Sequence, residues 1–445
     1  MSTLQNLARC VASATPPADA RNRAAAAVLD TIGVTLAGVD EPAARIVRTT
    51  LAAADRGCVV WGAGVRATAP DAALANGTAA HALDYDDMCF VSLAHPSAPL
   101  APAVIATAEL VGASGRAALD AYIVGFEIEA RLGRVMNPRH YQRGWHNTST
   151  LGTIGAAAAS ARLFGLEVDA AAHAIAIAAS EASGLKENFG SMVKPLHAGL
   201  AARNGVLAAL LARAGMTASA QALDGPQGFL HAMDAERDNL AHEAADLGER
   251  WEILDTGITV KLYPSCAGTH PTLDALLDLR AREKFSADDV DGVEIDVDAI
   301  VPTILIYDRP ASALEAKFSM PFCVAAAIVF GQVGIDTFDD ERIRDARVAA
   351  LMSKVTMRVD PDVGKGAPAL TQARVRVRLK NGRVVSGDAH GARGYPERPP
   401  SDAALEAKFT ACATRALAPA KVAEVLTVLR AFDQLEDVRR LTALL

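Results

Sequence analysis

The sequence predicts a mainly α-helical protein, in which a smaller α+β domain (residues 261–397) is inserted into a large all-helical domain formed by residues 1–260 and 398–445. Three observations support this prediction. The chain has 445 residues, more than one hydrophobic core usually serves. Its composition is 51% hydrophobic but only 5% aromatic, and it is dominated by alanine, the strongest helix former. Strand-like alternation is concentrated after Trp251.

The first hundred residues indicate helices joined by short breaks. A long helix begins at Asp19 and Ala20, and its apolar residues recur at the three- and four-residue spacing of a buried face: Val28, Leu29, Ile32 and Leu36. Gly38 lies where a helix C-cap is expected. The CVVWG segment at Cys58 is typical of an isolated strand, and a further helix is expected from Ala72 to Leu83.

The next hundred residues predict four helices, with a Gly- and Asn-containing break, NPRHYQRGWHNTST, after the first. We expect them at Ala117–Leu132, Ser149–Phe164, Val168–Ser183 and Pro195–Ala214. In the first of these helices, Glu127 and Glu129 are expected to face solvent. His146 precedes three residues that are good N-cap types, and a helix N-terminus can bind a carboxylate. Pro195 is expected at the first position of its helix.

The inserted domain is predicted from alternating segments. DGVEIDVDAIV at Asp291 has the pattern of a half-buried strand, and VTMRV at Val355 is another candidate. The segment TQARVRVRLKNGRVVSGDA alternates apolar and basic residues up to Asn381-Gly382, which favours a hairpin with a type I′ turn. Short helices are expected between these strands, around Met320 and Glu341. After residues 399–400 the helical pattern returns, and we expect the last helices to rejoin the first domain.

Charge and hydropathy exclude some classes of partner. The chain has 44 Lys and Arg against 52 Asp and Glu, a net charge of −8, which argues against nucleic acid and against an anionic membrane surface. The long apolar run Phe318–Ile335 contains Pro321, Gly331 and Gln332, so we expect a buried helix and no membrane span. Arg9 interrupts the stretch where a signal peptide would need apolar residues.

Cysteine spacing and the absence of several common motifs argue against particular kinds of site and reaction. The six cysteines form neither a CxxC pair nor a Cys/His ladder, which predicts no zinc module and no disulfide framework. We therefore expect a reducing compartment and a cytoplasmic location. The sequence has no P-loop, dinucleotide-binding glycine motif or G-x-S-x-G elbow, so nucleotide-driven and serine-hydrolase chemistry are not favoured.

Titratable residues concentrate between Ala80 and Pro102, in AHALDYDDMCFVSLAHPSAPLAP. They are His81, Asp84, Asp86, Asp87 and His95. A solvated loop is one explanation. Another is a metal-dependent hydrolase whose divalent cation is bound by His81, Asp86 and His95. A third is a helical scaffold without catalytic function, in which these residues would not converge with the other polar clusters.

Four further polar clusters lie near the ends of predicted elements. They are His146, Lys194 with His197, Lys261 with His270, and Tyr307. Singly, each is most simply a cap or a solvated residue. Together they suggest a site in which lysines and hydroxyl groups hold carboxylates while histidine and tyrosine move protons. Such a site suits proton abstraction next to a carboxylate, followed by loss of water, loss of carbon dioxide or reprotonation. This chemistry requires no redox cofactor, and lysines can replace a metal in neutralising the enolate.

Six segments in order, NGTAAHALDYDD, AHPSAP, GWHNTSTLG, VKPLHAG, KLYPSCAGTHP and YDRPA, carry a resemblance to the MmgE/PrpD family. This family includes 2-methylcitrate dehydratases, cis-aconitate decarboxylases and iminodisuccinate epimerases. The resemblance runs from about Leu4 to the final helices. It implies a large helical domain with an inserted α+β lid domain, a homodimer, a small di- or tricarboxylate substrate, and no metal or organic cofactor.

The resemblance also implies a candidate site. The family's catalytic histidine falls on His95 and a second histidine on His146, and the family's lysines and tyrosine fall on Lys194, Lys261 and Tyr307. The candidate catalytic residues are His95, His146, Tyr307 and Lys261; the candidate substrate-binding residues are Lys194, His197, Asp84 and Asp86. The motifs do not distinguish which of the two aspartates is closer to the substrate.

One departure from the family pattern indicates which of the family's reactions is expected first. Where the decarboxylases place a histidine after the lysine of the fifth segment, this chain has Cys266. Decarboxylation is therefore disfavoured, and a 2-methylcitrate dehydratase-like lyase is expected first and a dicarboxylate epimerase second. In either case, His95 or His146 would exchange the proton α to a carboxylate.

Overall fold

A computed structural model of the chain describes residues 2–368 and 370–445. Helices account for 56% of it, so the prediction of a mainly α-helical protein is confirmed. The chain divides into two units. The first comprises Met1–Asn188, Met192–Val260 and Ser401–Leu445, and the second comprises Phe189–Ser191 and Lys261–Pro400. The first unit is therefore assembled from segments that are far apart in sequence.

The first unit is a bundle of long helices with a small hairpin. Its helices are α1 (Thr3–Ser13), α2 (Ala18–Gly38), α3 (Pro42–Thr49), α4 (Ala69–Ala82), α5 (Ser97–Val111), α6 (Gly115–Met136), α7 (Arg139–Gln142), α8 (Asn147–Leu163), α9 (Val168–Glu181), α10 (Val193–Arg213), α11 (Phe229–Ala232), α12 (Leu240–Glu243), α13 (Glu252–Asp255), α19 (Asp402–Ala413), α20 (Pro419–Arg430) and α21 (Arg439–Thr442). The strands are β1 (Ala53–Val60) and β2 (Val65–Ala67).

The strand predicted at Cys58 is not isolated. It belongs to β1, which pairs antiparallel with β2, and Cys58 lies opposite Ala67. The turn between them contains Gly62 and Gly64, both with positive φ. Glycine adopts this left-handed conformation without a steric penalty, so the short WGAG segment can reverse the chain.

Small residues allow the central helices to approach closely. At the crossing of α4 and α10, a Cβ on Gly77 would lie 2.9 Å from the Cα of Gly199. At the crossing of α6 and α8, a Cβ on Gly155 would lie 2.9 Å from the carbonyl oxygen of Gly125. Glycines at these crossings thus bring the helix backbones together, and the crossing of α4 and α10 places the polar ends of these helices side by side.

The predicted exposure of Glu127 and Glu129 is wrong. Both side chains are buried, but on different sides of α6, because residues two positions apart on a helix point in nearly opposite directions. Glu127 is covered by α13, whereas Glu129 lies against Gly155 of α8. Glu127 Oε1 accepts a hydrogen bond from the backbone N–H of Ile253, at 3.1 Å. Burial raises the pKa of Glu127 to about 7 and that of Glu129 well above its usual value, and the nearby Asp87 raises the latter further.

Three predicted helix ends also shift. Gly38 is the last residue of α2 and not its cap, and it packs closely against the Ala79 carbonyl of α4. The N-cap of α8 is His146 itself. Helix α10 begins at Val193, so Pro195 is its third residue and Lys194 lies within its first turn.

The second unit is an α+β structure. Its helices are α14 (His270–Glu283), α15 (Ala313–Ala316), α16 (Met320–Phe330), α17 (Asp340–Ile343) and α18 (Ala346–Met352); its strands are β3 (Val290–Val297), β4 (Val355–Val359), β5 (Gln372–Leu379) and β6 (Val384–His390). The strand order is β4-β3-β5-β6, with β3 and β4 parallel and the other pairs antiparallel. Apolar residues of β3 and β5 fill the buried face, whereas Glu294 lies opposite Arg376 on the other.

The hairpin of β5 and β6 is present, but its turn differs from the prediction. A type I′ turn needs a positive φ at both central residues. Gly382 has φ +84°, whereas Asn381 is not in the left-handed region. The N–H of Gly382 donates to the Leu379 carbonyl at 2.9 Å, and the N–H of Leu379 donates to the Arg383 carbonyl. This is the arrangement of a type I turn followed by a glycine bulge, in which only the glycine must be left-handed.

The apolar run Phe318–Ile335 forms α16, which is buried and only 11 residues long. It ends at Gly331, whose φ of +76° closes the helix. The prediction of a buried helix is confirmed. Among the described residues, no helix has both the length and the hydropathy needed to span a bilayer. The six cysteines are buried free thiols.

Candidate active site

Six of the predicted site residues lie in the first unit, where four helix ends meet. Asp84 and Asp86 follow the C-terminal end of α4, and His95 directly precedes α5. His146 is the N-cap of α8, while Lys194 and His197 lie near the start of α10. The sequence separations are large, so it is helix packing that brings these side chains together.

Asp86 is the centre of this cluster. Its Oδ2 lies 2.7 Å from His81 Nδ1 and 3.2 Å from His95 Nδ1, and its side chain is fully buried. Burial alone would raise the pKa of Asp86, but the two imidazoles hold it well below its usual value. A carboxylate can only accept hydrogen bonds, so it favours the tautomers of His81 and His95 that carry the proton on Nδ1.

His95 is the histidine of the cluster that solvent reaches most readily. It is 9% exposed, whereas His81 and His146 are each 1% exposed. Its Nε2 lies 3.7 Å from Asp84 Oδ1. Its backbone N–H donates to Thr148 Oγ1 at 3.0 Å, which links this residue to the first turn of α8. With one carboxylate beside each ring nitrogen, a proton gained by His95 would be stabilised electrostatically.

Lys194 is already paired with an aspartate. Its Nζ lies 2.7 Å from Asp84 Oδ1, and both side chains are almost completely buried. Asp84 has φ +52°, a left-handed conformation that aspartate tolerates better than most residues. An ammonium group has three N–H donors, and the bond to Asp84 uses one of them.

The remaining histidines of the cluster are neighbours of one another. The ring of His81 stacks against that of His146, with centroids 5.7 Å apart, and His146 Nδ1 lies 3.0 Å from His197 Nδ1. Burial, assisted by His81 and Lys194, lowers the pKa of His146 well below its usual value and that of His197 to about 4. Both rings are therefore neutral at pH 7, as a general base must be.

Asp87 supports the same loop through hydrogen bonds from Ser97. It accepts a hydrogen bond from the Ser97 N–H at 3.1 Å and another from the Ser97 hydroxyl, which also bonds to Tyr122. Burial raises the pKa of Asp87 to about 8, even though the bonds from Ser97 lower it. Asp87 is thus a support that ties the loop to α5 and α6, and its neighbour Asp86 carries the charge.

The cluster also has the composition of a metal site. One ligand atom from each of His81, Asp84, Asp86 and His95 can be chosen so that all four lie within 4.8 Å of one another. Two imidazoles and two carboxylates form a plausible ligand set for a divalent cation. However, the Lys194 ammonium already places a positive charge 2.7 Å from Asp84, which competes electrostatically with a second cation.

Lys261 and Tyr307 belong to the second unit. The Lys261 side chain is buried. The Tyr307 hydroxyl donates to the Phe189 carbonyl at 2.9 Å. Cys266, the departure from the family pattern, is buried, and its N–H bonds to the Lys317 carbonyl. His270 Nε2 lies 3.1 Å from the Ser265 carbonyl at the start of α14.

Two residues that contact the candidate set were not predicted to belong to it. The sequence indicates His81 only as a metal ligand, although its position one helical turn before Asp84 is a usable signal. Thr148 was predicted only as a capping residue. Its contact with His95 spans 53 residues, and no local pattern reports such a distance.

Comparison with known proteins identifies both halves of the chain. Residues 3–240 match the model of the MmgE/PrpD N-terminal domain, and residues 263–434 match that of the C-terminal domain. Cis-aconitate decarboxylase of Homo sapiens is 28% identical over 94% of this chain and 88% of its own. The enzyme of the same name from Mus musculus is 28% identical over 94% and 87%. That of Aspergillus terreus is 27% identical over 96% and 92%.

Proposed function

Because the chain belongs to the MmgE/PrpD family and is an enzyme of its lyase and isomerase class, we propose that it is a cofactor-independent lyase. Its substrate is a small di- or tricarboxylate. The enzyme removes the proton α to a carboxylate of this substrate and then eliminates water. The observation that carries the proposal is His95, a partly accessible imidazole with Asp86 at 3.2 Å and Asp84 at 3.7 Å.

In the proposed mechanism, the two aspartates stabilise the imidazolium that forms when His95 accepts the proton. Lys194 binds a substrate carboxylate and lowers the free energy of the enolate by its charge. The neutral His146 is available for the second proton transfer. Lys261 and Tyr307 are assigned to carboxylate binding and to protonation of the leaving hydroxyl on the family resemblance alone.

Decarboxylation of cis-aconitate is the second candidate, because the curated relatives described above are named for that reaction. By the family resemblance, Cys266 occupies the position where the decarboxylases place a histidine, and this departure favours dehydration of a hydroxy acid of the 2-methylcitrate type. Both reactions pass through a carbanion next to a carboxylate, and they differ in the leaving group.

Incubation with 2-methylcitrate, citrate, cis-aconitate and iminodisuccinate in deuterated water, followed by NMR, tests the proposal. Loss of water from a hydroxy acid is the expected result. Loss of carbon dioxide from cis-aconitate would establish the second candidate, and deuterium uptake without elimination would identify an epimerase. If none of these acids reacts, the proposed function is wrong.

A metal-dependent hydrolase is the competing explanation for the His and Asp cluster. The pairing of Lys194 with Asp84 favours the metal-independent proposal, since the ammonium supplies the local positive charge. Protein treated with a chelator and checked by elemental analysis should retain its activity on the reactive acid. Activity that disappears with the metal and returns with Zn²⁺ or Mn²⁺ would contradict the proposal.

A further inference from the structure

A buried cation of the C-terminal segment contacts the loop that carries both site aspartates. Lys408, on α19, lies 2.7 Å from Asp30 Oδ1 of α2, and its side chain is 3% exposed. Its Nζ also donates to the backbone carbonyl of Tyr85 at 2.9 Å and lies 4.1 Å from the centroid of the Tyr85 ring. One ammonium group therefore connects two helices and the loop after α4.

The contact with Lys408 is important because Tyr85 lies between the two site aspartates. Tyr85 separates Asp84, which binds Lys194, from Asp86, which contacts His81 and His95. A change in the backbone at Tyr85 would therefore displace both carboxylates. Asp84 has a left-handed backbone, a sparsely populated conformation that persists only where its surroundings hold it.

Stability alone does not account for a lysine at this position. Burying an ion pair removes both charges from water, and apolar residues of similar volume often stabilise a core equally well. A pair such as leucine and methionine would fill the space between α2 and α19. It would offer no donor to the Tyr85 carbonyl and no cation for the face of its ring.

We propose that Lys408, oriented by Asp30, is a positioning residue that holds the Tyr85 peptide and thereby sets the placement of Asp84 and Asp86 around His95. The effect expected on turnover rests on the proposed function. The effect expected on the loop does not, because it follows from the contacts of Lys408 alone.

The test replaces Lys408 by methionine, which retains most of the side-chain volume and loses the charge and the donors. Amide hydrogen exchange of residues 84–88, followed by mass spectrometry, should become at least about tenfold faster, because the loop then opens more readily. With the acid that the wild type converts, kcat should fall about 10- to 100-fold while KM changes less than about threefold, since misplacement affects the reacting groups more than binding.

Arg21→Met is the matched control. Arg21 lies on α2, the helix that carries Asp30, and its Nε is paired with Asp120 Oδ1 at 2.6 Å, so this change removes a paired cation without touching the loop. It should leave both the exchange of residues 84–88 and kcat close to the wild type. If Lys408→Met does not fold, Lys408→Gln provides the same comparison, because its amide is one bond shorter and cannot bond both Asp30 and Tyr85.

The outcomes separate this inference from the proposed function. Unchanged exchange at residues 84–88 would overturn it, as would equal acceleration in Arg21→Met. Faster exchange with an unaltered kcat would also overturn it, because the loop would then not be limiting for catalysis. If the wild-type protein converts none of the four acids, the proposed function fails, and the exchange measurement still decides whether Lys408 holds the loop.

Discussion

Asp86 is the residue whose surroundings explain the chemistry of the site. It is a fully buried carboxylate, and the imidazoles of His81 and His95 lower its pKa enough to keep it ionised. Its charge in turn makes protonation of His95 more favourable. Neighbouring Asp87 has the opposite tendency, with its pKa raised to about 8, although the two residues are adjacent in sequence. The difference lies in their partners, because Asp87 is bonded to hydroxyl and amide groups and not to imidazoles.

Replacement of His95 by alanine should lower kcat at least about a hundredfold, the usual effect of losing an acid or base group. Steady-state kinetics with the acid that the wild type converts would measure this. His242→Ala is the matched control, since that histidine is 84% exposed in its side chain and lies outside the cluster. A His95→Ala protein with near wild-type turnover would show that another group moves the proton.

Acidification should destabilise the first unit through His197. Burial lowers its folded pKa to about 4, below the value near 6.5 of an unfolded histidine. Its stabilising contribution is thus fully present above pH 6.5 and is lost as the pH falls towards 4, because the unfolded chain binds a proton that the folded chain does not. Between pH 7 and pH 5 this loss amounts to about 2 kcal/mol.

The variant His197→Gln isolates this effect. Its free energy of unfolding, measured in urea at both pH values, should fall less than that of the wild type, by about 2 kcal/mol. Buried carboxyl groups contribute equally to both proteins and cancel in this difference. Equal losses in the two proteins would mean that His197 binds a proton as readily in the folded chain as in the unfolded chain.

At the scale of elements, the crossing of α4 and α10 determines whether Lys194 reaches Asp84. The backbones touch at Gly77 and Gly199, and no larger side chain fits between them. Lys194 lies five residues before Gly199, so a shift of α10 at the crossing is transmitted directly to the ion pair. Helix contacts of this kind are set by shape, and hydrophobic periodicity does not record them.

Gly199→Ala should therefore destabilise the protein and slow turnover. The new Cβ would overlap Thr78 Oγ1 and the Leu74 carbonyl of α4. Overpacking costs about 1–3 kcal/mol or more against backbone that cannot move, which exceeds the gain of about 1 kcal/mol from replacing a helical glycine. Gly334→Ala is the control, since Gly334 has φ −128° and no atom lies within 4 Å of its Cβ position. Thermal unfolding of both variants would show whether the crossing is as tight as described.

The elements that could be predicted from the sequence are those with a local signal. The spacing of Val28, Ile32 and Leu36 predicts α2, and the alternation around Val375 predicts β5, because each pattern reports one buried face. The same reasoning failed for Glu127 and Glu129, because Glu127 is covered by a segment more than a hundred positions later and Glu129 by α8.

At the scale of the whole molecule, family resemblance predicts several residues of the site, whereas the contacts that helix packing creates around them cannot be predicted. His95, His146 and Lys194 were assigned by their motifs, and the structure places them in one cluster. The pairing of Lys408 with Asp30 spans 378 residues, and neither residue belongs to a recognisable motif. Nothing in the local sequence distinguishes these two from ordinary surface charges.

The homodimer implied by the family is a prediction for the assembled molecule. Size-exclusion chromatography with light scattering should give a mass of 92.8 kDa, twice the chain mass of 46.4 kDa. The mass should stay constant on dilution to low micromolar concentration, as expected for the large apolar interfaces of obligate dimers. A constant mass of 46.4 kDa would contradict it.

The discontinuity of the first unit has a consequence for how the protein is made. Translation proceeds from the N-terminus, so Tyr85 leaves the ribosome 323 residues before Lys408. At typical rates of chain elongation this interval lasts roughly 16 to 65 s. The second unit is synthesised completely within that time, whereas the first still lacks α19 to α21. Lys408 can therefore contact Tyr85 and Asp30 only after α19 has been synthesised, and until then the carboxylate of Asp30 has no lysine to neutralise it.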